Sequence, residues 1–393
     1  MNDTCELTIV MPCLNEAETL TTCIRKARNA LAEMDFPCEI VIADNGSTDG
    51  SQQIAREAGA RVVDVQEKGY GCALRAGIAA ARGKWVIMGD ADDSYDFGSI
   101  APFVEKLERG DELVMGCRLP RGKGQIMRGA MPWEHRWIGN PAFTFLGRLF
   151  FRSPANDFYC GLRAFTKEAY QRMELSANGM EFACEMVMQA SVKRMQISEV
   201  PITLHKDGRS RAPHLKTWRD GWRTLRFMLL HCPKWLFLLP GMVLLAFGTA
   251  FGARLVVGPL KLGGIGFDSS SLLICSMCII IGMQLSFFGA FAREFAANQG
   301  LLPPHRWLRQ FLKVLNLERS LCLGGILLVA GFVLLGNAML IWKGADFGAL
   351  SYPESLRRMI PAVTLITVGV QWLFSSFFLN LLHLQRSAPA GNQ

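Results

Sequence analysis

The chain has 393 residues, a formal net charge of +8 and twelve cysteines; half of its residues are hydrophobic and only 19% are charged. That charged share is low for a soluble protein, and the length suggests two or three domains. The basic balance fits a partner of anionic lipid headgroups. It would also suit nucleic acid, but no nucleic-acid motif accompanies it, so no such partner is expected. The cysteines are scattered, and the one Cys-x-x-Cys pair, Cys275 and Cys278, falls inside an apolar run, which argues against a disulfide framework, a redox pair or a zinc site.

In chain order, "LTIVMP" is a short β-type run ending at Pro12. "NEAETLTTCIRKARNAL" follows with Leu20, Ile24, Ala27 and Leu31 on one helical face and Asn15 as a possible cap. "CEIVIAD" reads as strand, "NGSTDGS" as turn, "SQQIAREAG" as helix, "RVVDV" as strand, "ALRAGIAAARG" as helix and "KWVIMGD" as strand. Strands alternating with helices predict a mostly parallel sheet with helices on both faces. Ligands bind such sheets at the carboxyl ends of the strands, so Asp44 and Asp90, each ending an apolar run, are expected in one crevice.

"VIMGDADDSYDF" then packs Asp90, Asp92, Asp93 and Asp96 into seven positions. A divalent cation is the natural way to offset their repulsion, and hard carboxylate oxygens suit Mg²⁺ or Mn²⁺. Asp90 and Asp92 are the expected pair, because alternate residues leaving a strand face the same way. The bland alternative is a solvated acidic loop.

Four long apolar segments follow, at 235–258, 272–292, 321–342 and 360–383, each near the roughly 20 residues that cross a bilayer core. They predict a multi-pass membrane protein with domains at 1–230 and 231–393. "MNDTCELTIV" has neither a basic n-region nor an apolar h-region. The link between the second and third segments carries Arg293, Arg306, Arg309, Lys313 and Arg319. The first feature predicts an N-terminal domain in the cytoplasm, and the basic link predicts the same side by the positive-inside rule. "NPAFTFLGRLFF" suits either an amphipathic helix dipping into the bilayer surface or a core helix, and "LKTWRDGWRTLRFMLLHCPKW" suits a headgroup-level helix. His135, His214 and His231 read as structural or interfacial residues.

Taken together, "MPCLNEAETL", "IVIADNGSTDGS", "KGYGCALRAGIAAARGKWVIMGDADDSYD" and "DFYCGLRAF" resemble the inverting glycosyltransferases of family 2, and within them the polyprenyl-phosphate glycosyltransferases of the dolichyl-phosphate mannose and glucose synthase group. The resemblance covers residues 7 to 215 and implies an α/β GT-A catalytic domain, Rossmann-like, followed by an all-α transmembrane domain of four helices. It places Pro12, Asn15 and Glu16 on the first nucleotide loop, Asp44 on the base or ribose, and Asn45, Ser47 and Asp49 beside it. Lys68, Gly69, Gly71 and Arg75 match the family's glycine-rich donor stretch, and Asp90 and Asp92 its metal motif. Relatives continue with Leu-Gln; here Ser94 or Asp93 would have to supply the third ligand.

On the acceptor side the resemblance nominates Arg118, Arg136, Arg163, Lys206, Arg209 and Ser210 for a lipid phosphate, with Asp157, Cys160, Gly161 and His205 in the same motifs and Glu181 near the site's floor. Asp92, Arg118 and Arg163 would carry catalysis. The implied reaction moves a hexose from UDP or GDP to undecaprenyl or dolichyl phosphate. Two other readings stand beside it: a processive polysaccharide synthase, although no Gln-x-x-Arg-Trp motif occurs, and a non-catalytic membrane scaffold. The sequence leaves oligomerisation open.

Overall fold

The computed structural model describes residues 5–210, 217–299, 302 and 316–387. His214, Arg306, Arg309 and Lys313 lie outside the described residues. The chain divides into two compact units, Met1–Met228 and Leu229–Gln393.

In the first unit, strands β1 (Leu7–Cys13), β2 (Cys38–Asp44), β3 (Arg61–Asp64), β4 (Trp85–Met88) and β5 (Leu113–Cys117) alternate with helices α1 (Leu20–Ala32), α2 (Ser51–Glu57), α3 (Tyr70–Ala80) and α4 (Ala101–Glu108). The short β6 (Gln125–Ile126), α5 (Asn140–Phe151), β7 (Arg163–Thr166), α6 (Lys167–Met173), α7 (Glu181–Val192), β8 (Ile197–Pro201), β9 (Thr203–Leu204) and α8 (Thr217–Leu230) complete it. The seven-stranded sheet runs β3-β2-β1-β4-β7-β5-β8. Its pairs are parallel except at β7, which runs antiparallel to both β4 and β5. β6 and β9 form a separate parallel pair.

The central strands β1, β4 and β5 are largely apolar because they are covered on both faces. Leu7, Ile9, Met11, Ile42, Ile87 and Val114 are all fully buried, and Leu20, Ile24 and Ala27 of α1 close over them. Pro12 is tolerated in β1 because its missing N–H faces β4, and the pairing with β4 has already ended at Val10↔Met88. Asn15 does not cap α1. The helix begins at Leu20, with Thr19 before it, while Asn15 sits at φ 58° and accepts a bond from Thr48 N–H at 2.8 Å. Its local reach satisfies the neighbouring loop instead.

Among the described residues the second unit holds four helices long and apolar enough to cross a membrane: Lys234–Val257, Ser269–Asn298, Leu317–Gly344 and Tyr352–Leu382. Their apolar surfaces are open, with Val333 63%, Leu340 69% and Phe374 72% exposed, as lipid-facing residues should be. An antiparallel ribbon, Leu260–Leu262 with Ile265–Phe267, joins the first two. Close backbone approach comes from glycine. A Cβ on Gly248 would lie 2.7 Å from the Cys275 carbonyl, and one on Gly331 2.9 Å from Ile366 N. Small residues let membrane helices approach where water exclusion supplies no driving force.

Candidate active site

The carboxyl ends of β1, β2 and β4 gather the donor-side residues. Asp44 closes β2 with its side chain fully buried. Its Oδ2 accepts from Gly46 N–H (3.1 Å), Ser47 N–H (3.0 Å) and Gln52 Nε2 (2.6 Å). Burial pushes its pKa up, but these hydrogen bonds outweigh that and hold the carboxyl below its usual value. Asp44 Oδ1 is buried with no hydrogen-bond partner. A buried carboxylate oxygen left this way is costly unless a ligand supplies the donor.

The loops around Asp44 are tied to one another. Asn15 N–H donates to Ser47 Oγ at 2.8 Å, Glu16 N–H to Ser51 Oγ at 2.9 Å, and Asp49 accepts from Ala17 N–H at 3.0 Å. Asn45 accepts from Gly69 N–H at 2.8 Å, and Lys68 Nζ donates to the Asn45 carbonyl at 2.8 Å. Gly69 and Gly71 lie against the 176–178 loop. A Cβ on either would meet the carbonyl of Asn178 at 2.2 Å or of Ala177 at 2.3 Å, and Gly71 N–H donates to Asn178 O. These glycines admit the 176–178 loop. Arg75 braces the same loop through the Ser176 carbonyl (2.9 Å) and Asn178 Oδ1, so it is not set against the aspartates.

Beyond β4, Asp90 Oδ1 accepts from the Tyr70 hydroxyl at 2.9 Å. Burial, and next the charge of Asp92, push the Asp90 carboxyl up to about 6. Asp92 is 8% exposed; its Oδ1 accepts from Ser94 N–H at 3.0 Å and from Ser94 Oγ at 2.5 Å, and its Oδ2 pairs with Arg209 Nη2. Ser94 therefore acts as a donor to Asp92. Asp93, at φ 61°, turns to Lys26 Nζ at 2.8 Å. Neither extends the pair into a larger ligand set: among the described residues no group of three or more His, Cys, Asp and Glu is arranged to hold a metal.

The segment after β9 is stitched to this acidic loop. His205 N–H donates to the Ser94 carbonyl (2.9 Å) and Gly208 N–H to the Asp92 carbonyl (3.0 Å). Arg209 is thereby carried onto Glu16 (3.0 Å), Asp92 (2.5 Å) and Asp207 (3.4 Å). Burial lowers its pKa, but the three carboxylates more than reverse this. Ser210 binds Glu18 through N–H (2.8 Å) and Oγ (2.6 Å), and Lys206 is exposed.

The remaining arginines differ sharply. Arg118, just past β5 and 7% exposed, meets buried Asp157 through Nε (2.7 Å), Nη2 (2.9 Å) and its own N–H (2.9 Å). Arg136 is half-buried with its guanidinium 5.4 Å from the Trp137 ring centre. Arg163 corrects the expectation made of it. It is fully buried, and its donors go to the carbonyls of Cys160 (2.7 Å), Phe158 (3.2 Å) and Ala183. An arginine enclosed this way braces the main chain and offers no open face to a phosphate. Glu181 sits 3.7 Å from Arg223 Nε. Tyr70 and Tyr95 were not singled out by the sequence; Tyr95 hydroxyl accepts from Gly161 N–H at 2.8 Å. A tyrosine between the two glycines of 69–71 was the available signal for the first.

Residues 8–173 match glycosyl transferase family 2, and residues 290–383 match the glycosyltransferase family 2 C-terminal transmembrane region. The chain is 35% identical over 378 residues to the low-salt glycan biosynthesis hexosyltransferase Agl6 of Haloferax volcanii, covering 96% of this chain and 89% of that one. It is 29% identical over 197 residues to a dolichyl-phosphate hexose transferase of the same organism, covering 50% of this chain and 82% of the relative. Among solved structures, Mycobacterium tuberculosis glucosyl-3-phosphoglycerate synthase in complex with Mn²⁺, UDP and glucosyl-3-phosphoglycerate aligns with a TM-score of 0.46 at 21% identity, over 58% of this chain and 80% of that one. The α/β sheet, the carboxylates at its strand ends and the four apolar helices thus have one explanation: the protein is a membrane glycosyltransferase that belongs to glycosyltransferase family 2.

Proposed function

We propose that the protein moves a hexose from a nucleotide-diphosphate sugar, linked to UDP or GDP, to a polyprenyl phosphate, inverting the anomeric carbon. The observation that carries this reading is the continuous polar chain from Asp44 through the Ser47–Ser51 loop to Glu16, Arg209 and Asp92. It runs along the strand ends where an α/β sheet binds ligands. The hexosyltransferase and dolichyl-phosphate relatives support the sugar class and the acceptor.

On the donor side, the unpartnered Asp44 Oδ1 awaits an N–H or O–H from base or ribose, with Pro12, Asn15, Asn45, Ser47, Lys68 and Gly69 shaping the surrounding loops. Asp90 and Asp92 fit a divalent cation. Their mutual charge and Asp90's burial raise Asp90's proton affinity, the environment in which a cation displaces a proton. Two protein carboxylates suit Mg²⁺ or Mn²⁺, which usually fill their octahedron from phosphate oxygens and water. Such a cation supplies charge to a departing diphosphate. Arg209 already pairs with Asp92 Oδ2, so a cation held at Asp92 would share that carboxylate with a guanidinium that can grip phosphate oxygens with two donors.

The acceptor needs little activation. A phosphate monoester with a second pKa of about 6 is mostly ionised near neutral pH, so the residues need only position it. Arg118, Arg136, Lys206, Arg209 and Ser210 form the acceptor side, and exposed Trp133, Trp137, Phe145, Trp218 and Trp222 suit a bilayer surface. A cytoplasmic catalytic unit follows from the charge of the 293–319 link.

The test is to incubate membranes containing the protein with labelled UDP- and GDP-hexoses and polyprenyl phosphate, with and without Mn²⁺. Label in the organic phase that requires the cation supports the reading. Label only in long water-soluble polymer, or none with any donor, overturns it.

A further inference from the structure

We infer that Tyr70 is a positioning residue that holds Asp90 as a one-oxygen ligand and so favours a small octahedral cation, Mg²⁺ or Mn²⁺, over Ca²⁺. The inference rests on the metal reading above and concerns how that site chooses its ion.

Tyr70 is the first residue of α3, and the start of that helix is fixed from outside. Gly71 N–H and Cys72 N–H both donate to the Asn178 carbonyl, at 2.9 and 3.3 Å. The 176–178 loop is itself held by Glu185, 1% exposed, which accepts from Ser176 N–H (3.0 Å), Ser176 Oγ (3.1 Å) and Ala177 N–H (2.9 Å). From this anchored base the phenol reaches Asp90 Oδ1 at 2.9 Å. The other oxygen, Oδ2, lies where a Cβ on Gly161 would come within 2.9 Å of it, so a glycine there keeps that side open. Gly161 is pinned by its N–H to the Tyr95 hydroxyl. One carboxylate oxygen is therefore committed to a phenol, and the other is left with room.

Cation chemistry gives this asymmetry a consequence. Ca²⁺ takes six to eight oxygens and accepts carboxylates in one- or two-oxygen mode, whereas Mg²⁺ demands a near-ideal octahedron with short bonds. Two-oxygen capture by Asp90 would require Oδ1 to share its lone pairs with the Tyr70 hydroxyl. The phenol thus biases Asp90 towards the geometry the smaller ion needs.

The experiment measures Mn²⁺ binding to the purified full-length protein by the electron paramagnetic resonance of free Mn²⁺, without nucleotide, and then Ca²⁺ competition. Tyr70→Phe is expected to weaken Mn²⁺ about tenfold, the scale of one hydrogen bond to a charged group, while Ca²⁺ binding holds or strengthens. The Ca²⁺-to-Mn²⁺ preference then shifts at least tenfold towards Ca²⁺, which a purely structural role would not produce. Equal changes for both ions, or none, overturn the inference. Asp90→Asn separates it from its basis: if that variant still binds Mn²⁺ fully, the metal reading itself fails. Should Tyr70→Phe not fold, the wild-type protein still tests the preference: Ca²⁺ equimolar with Mn²⁺ is expected to displace less than about a tenth of the bound Mn²⁺, and displacement beyond that overturns the inference.

Discussion

In the catalytic unit a buried charge, Arg118, is met by both oxygens of Asp157. In the membrane unit neutral groups pair between helices, Ser276 with Thr364 at 2.6 Å and Gln284 with Gln371 at 3.0 Å, while the buried Glu294 lies in the last turns of Ser269–Asn298. Its helices otherwise meet at glycines such as Gly324 and Gly369, where backbone touches backbone or leucine. The difference teaches what each surrounding permits. A ligand crevice can hold opposed charges because substrate and cation will complete them. A bilayer core makes an isolated charge expensive, so packing of small residues does most of the work. Changes in one unit should therefore fail through lost charge balance, and in the other through lost fit.

The largest effect should come from breaking the charge set itself. Asp92→Asn removes a carboxylate that three donors already orient, and hexosyl transfer to polyprenyl phosphate should fall by at least a hundredfold. Thermal stability should change far less, since Arg209 keeps Glu16 and Asp207. Full activity in chelator would refute the metal reading.

Asp157→Asn should be the most destabilising single change in the catalytic unit, by about 3–5 kcal/mol, because it strands the buried Arg118 guanidinium. The sign with pH is fixed. Burial raises the Asp157 pKa, but Arg118 outweighs it and holds the carboxyl below its usual value. The pair's stabilisation is therefore complete above the unfolded pKa of about 4 and is lost as pH falls through the folded value. Chemical denaturation of the wild-type and variant proteins from pH 7 to pH 3 should show the gap between them closing. A constant gap would mean that the pair contributes no proton-linked stability.

How much of this was legible in the sequence depends on range. Strand ends were readable because apolar runs stop at Asp44 and just before Asp90, and the spans because each is long and almost free of charge, Arg254 being the exception within 235–258. Partners were not. Arg209 and Asp92 meet across 117 positions, and nothing local tells Arg163 that it will be enclosed by carbonyls. Asn15 looked like a helix cap because local spacing allowed it; the loop at Thr48 offered it a better bond. The glycines at which the membrane helices meet, Gly241 and Gly248 or Gly324 and Gly331, were not singled out by the sequence, because their role depends on which helix each faces.

Fit, in the membrane unit, is broken by Gly331→Leu. Its added carbons would enter space already held by Ile366 and the Ala362 carbonyl. Overpacking of this kind costs about 1–3 kcal/mol. Detergent-solubilised protein should unfold at lower temperature, while its Mn²⁺ affinity stays within twofold of wild type. A matching loss of Mn²⁺ affinity would show that the two units do not fail separately.

The smallest effect is the most discriminating for the acidic loop. Asp93 stands beside Asp92 in sequence and, by composition alone, could be a third cation ligand. Its side chain instead pairs with Lys26 at 2.8 Å, both groups remaining about a quarter to a third exposed. Exposed pairs of this kind contribute about 0.2–1 kcal/mol. Asp93→Asn should therefore lower stability by less than about 1 kcal/mol, an effect that shrinks further in high salt. Mn²⁺ binding should stay within twofold of wild type, against its loss in Asp90→Asn. A drop comparable to that of Asp90→Asn would place Asp93 in the coordination shell and require the loop to turn away from Lys26 when it binds.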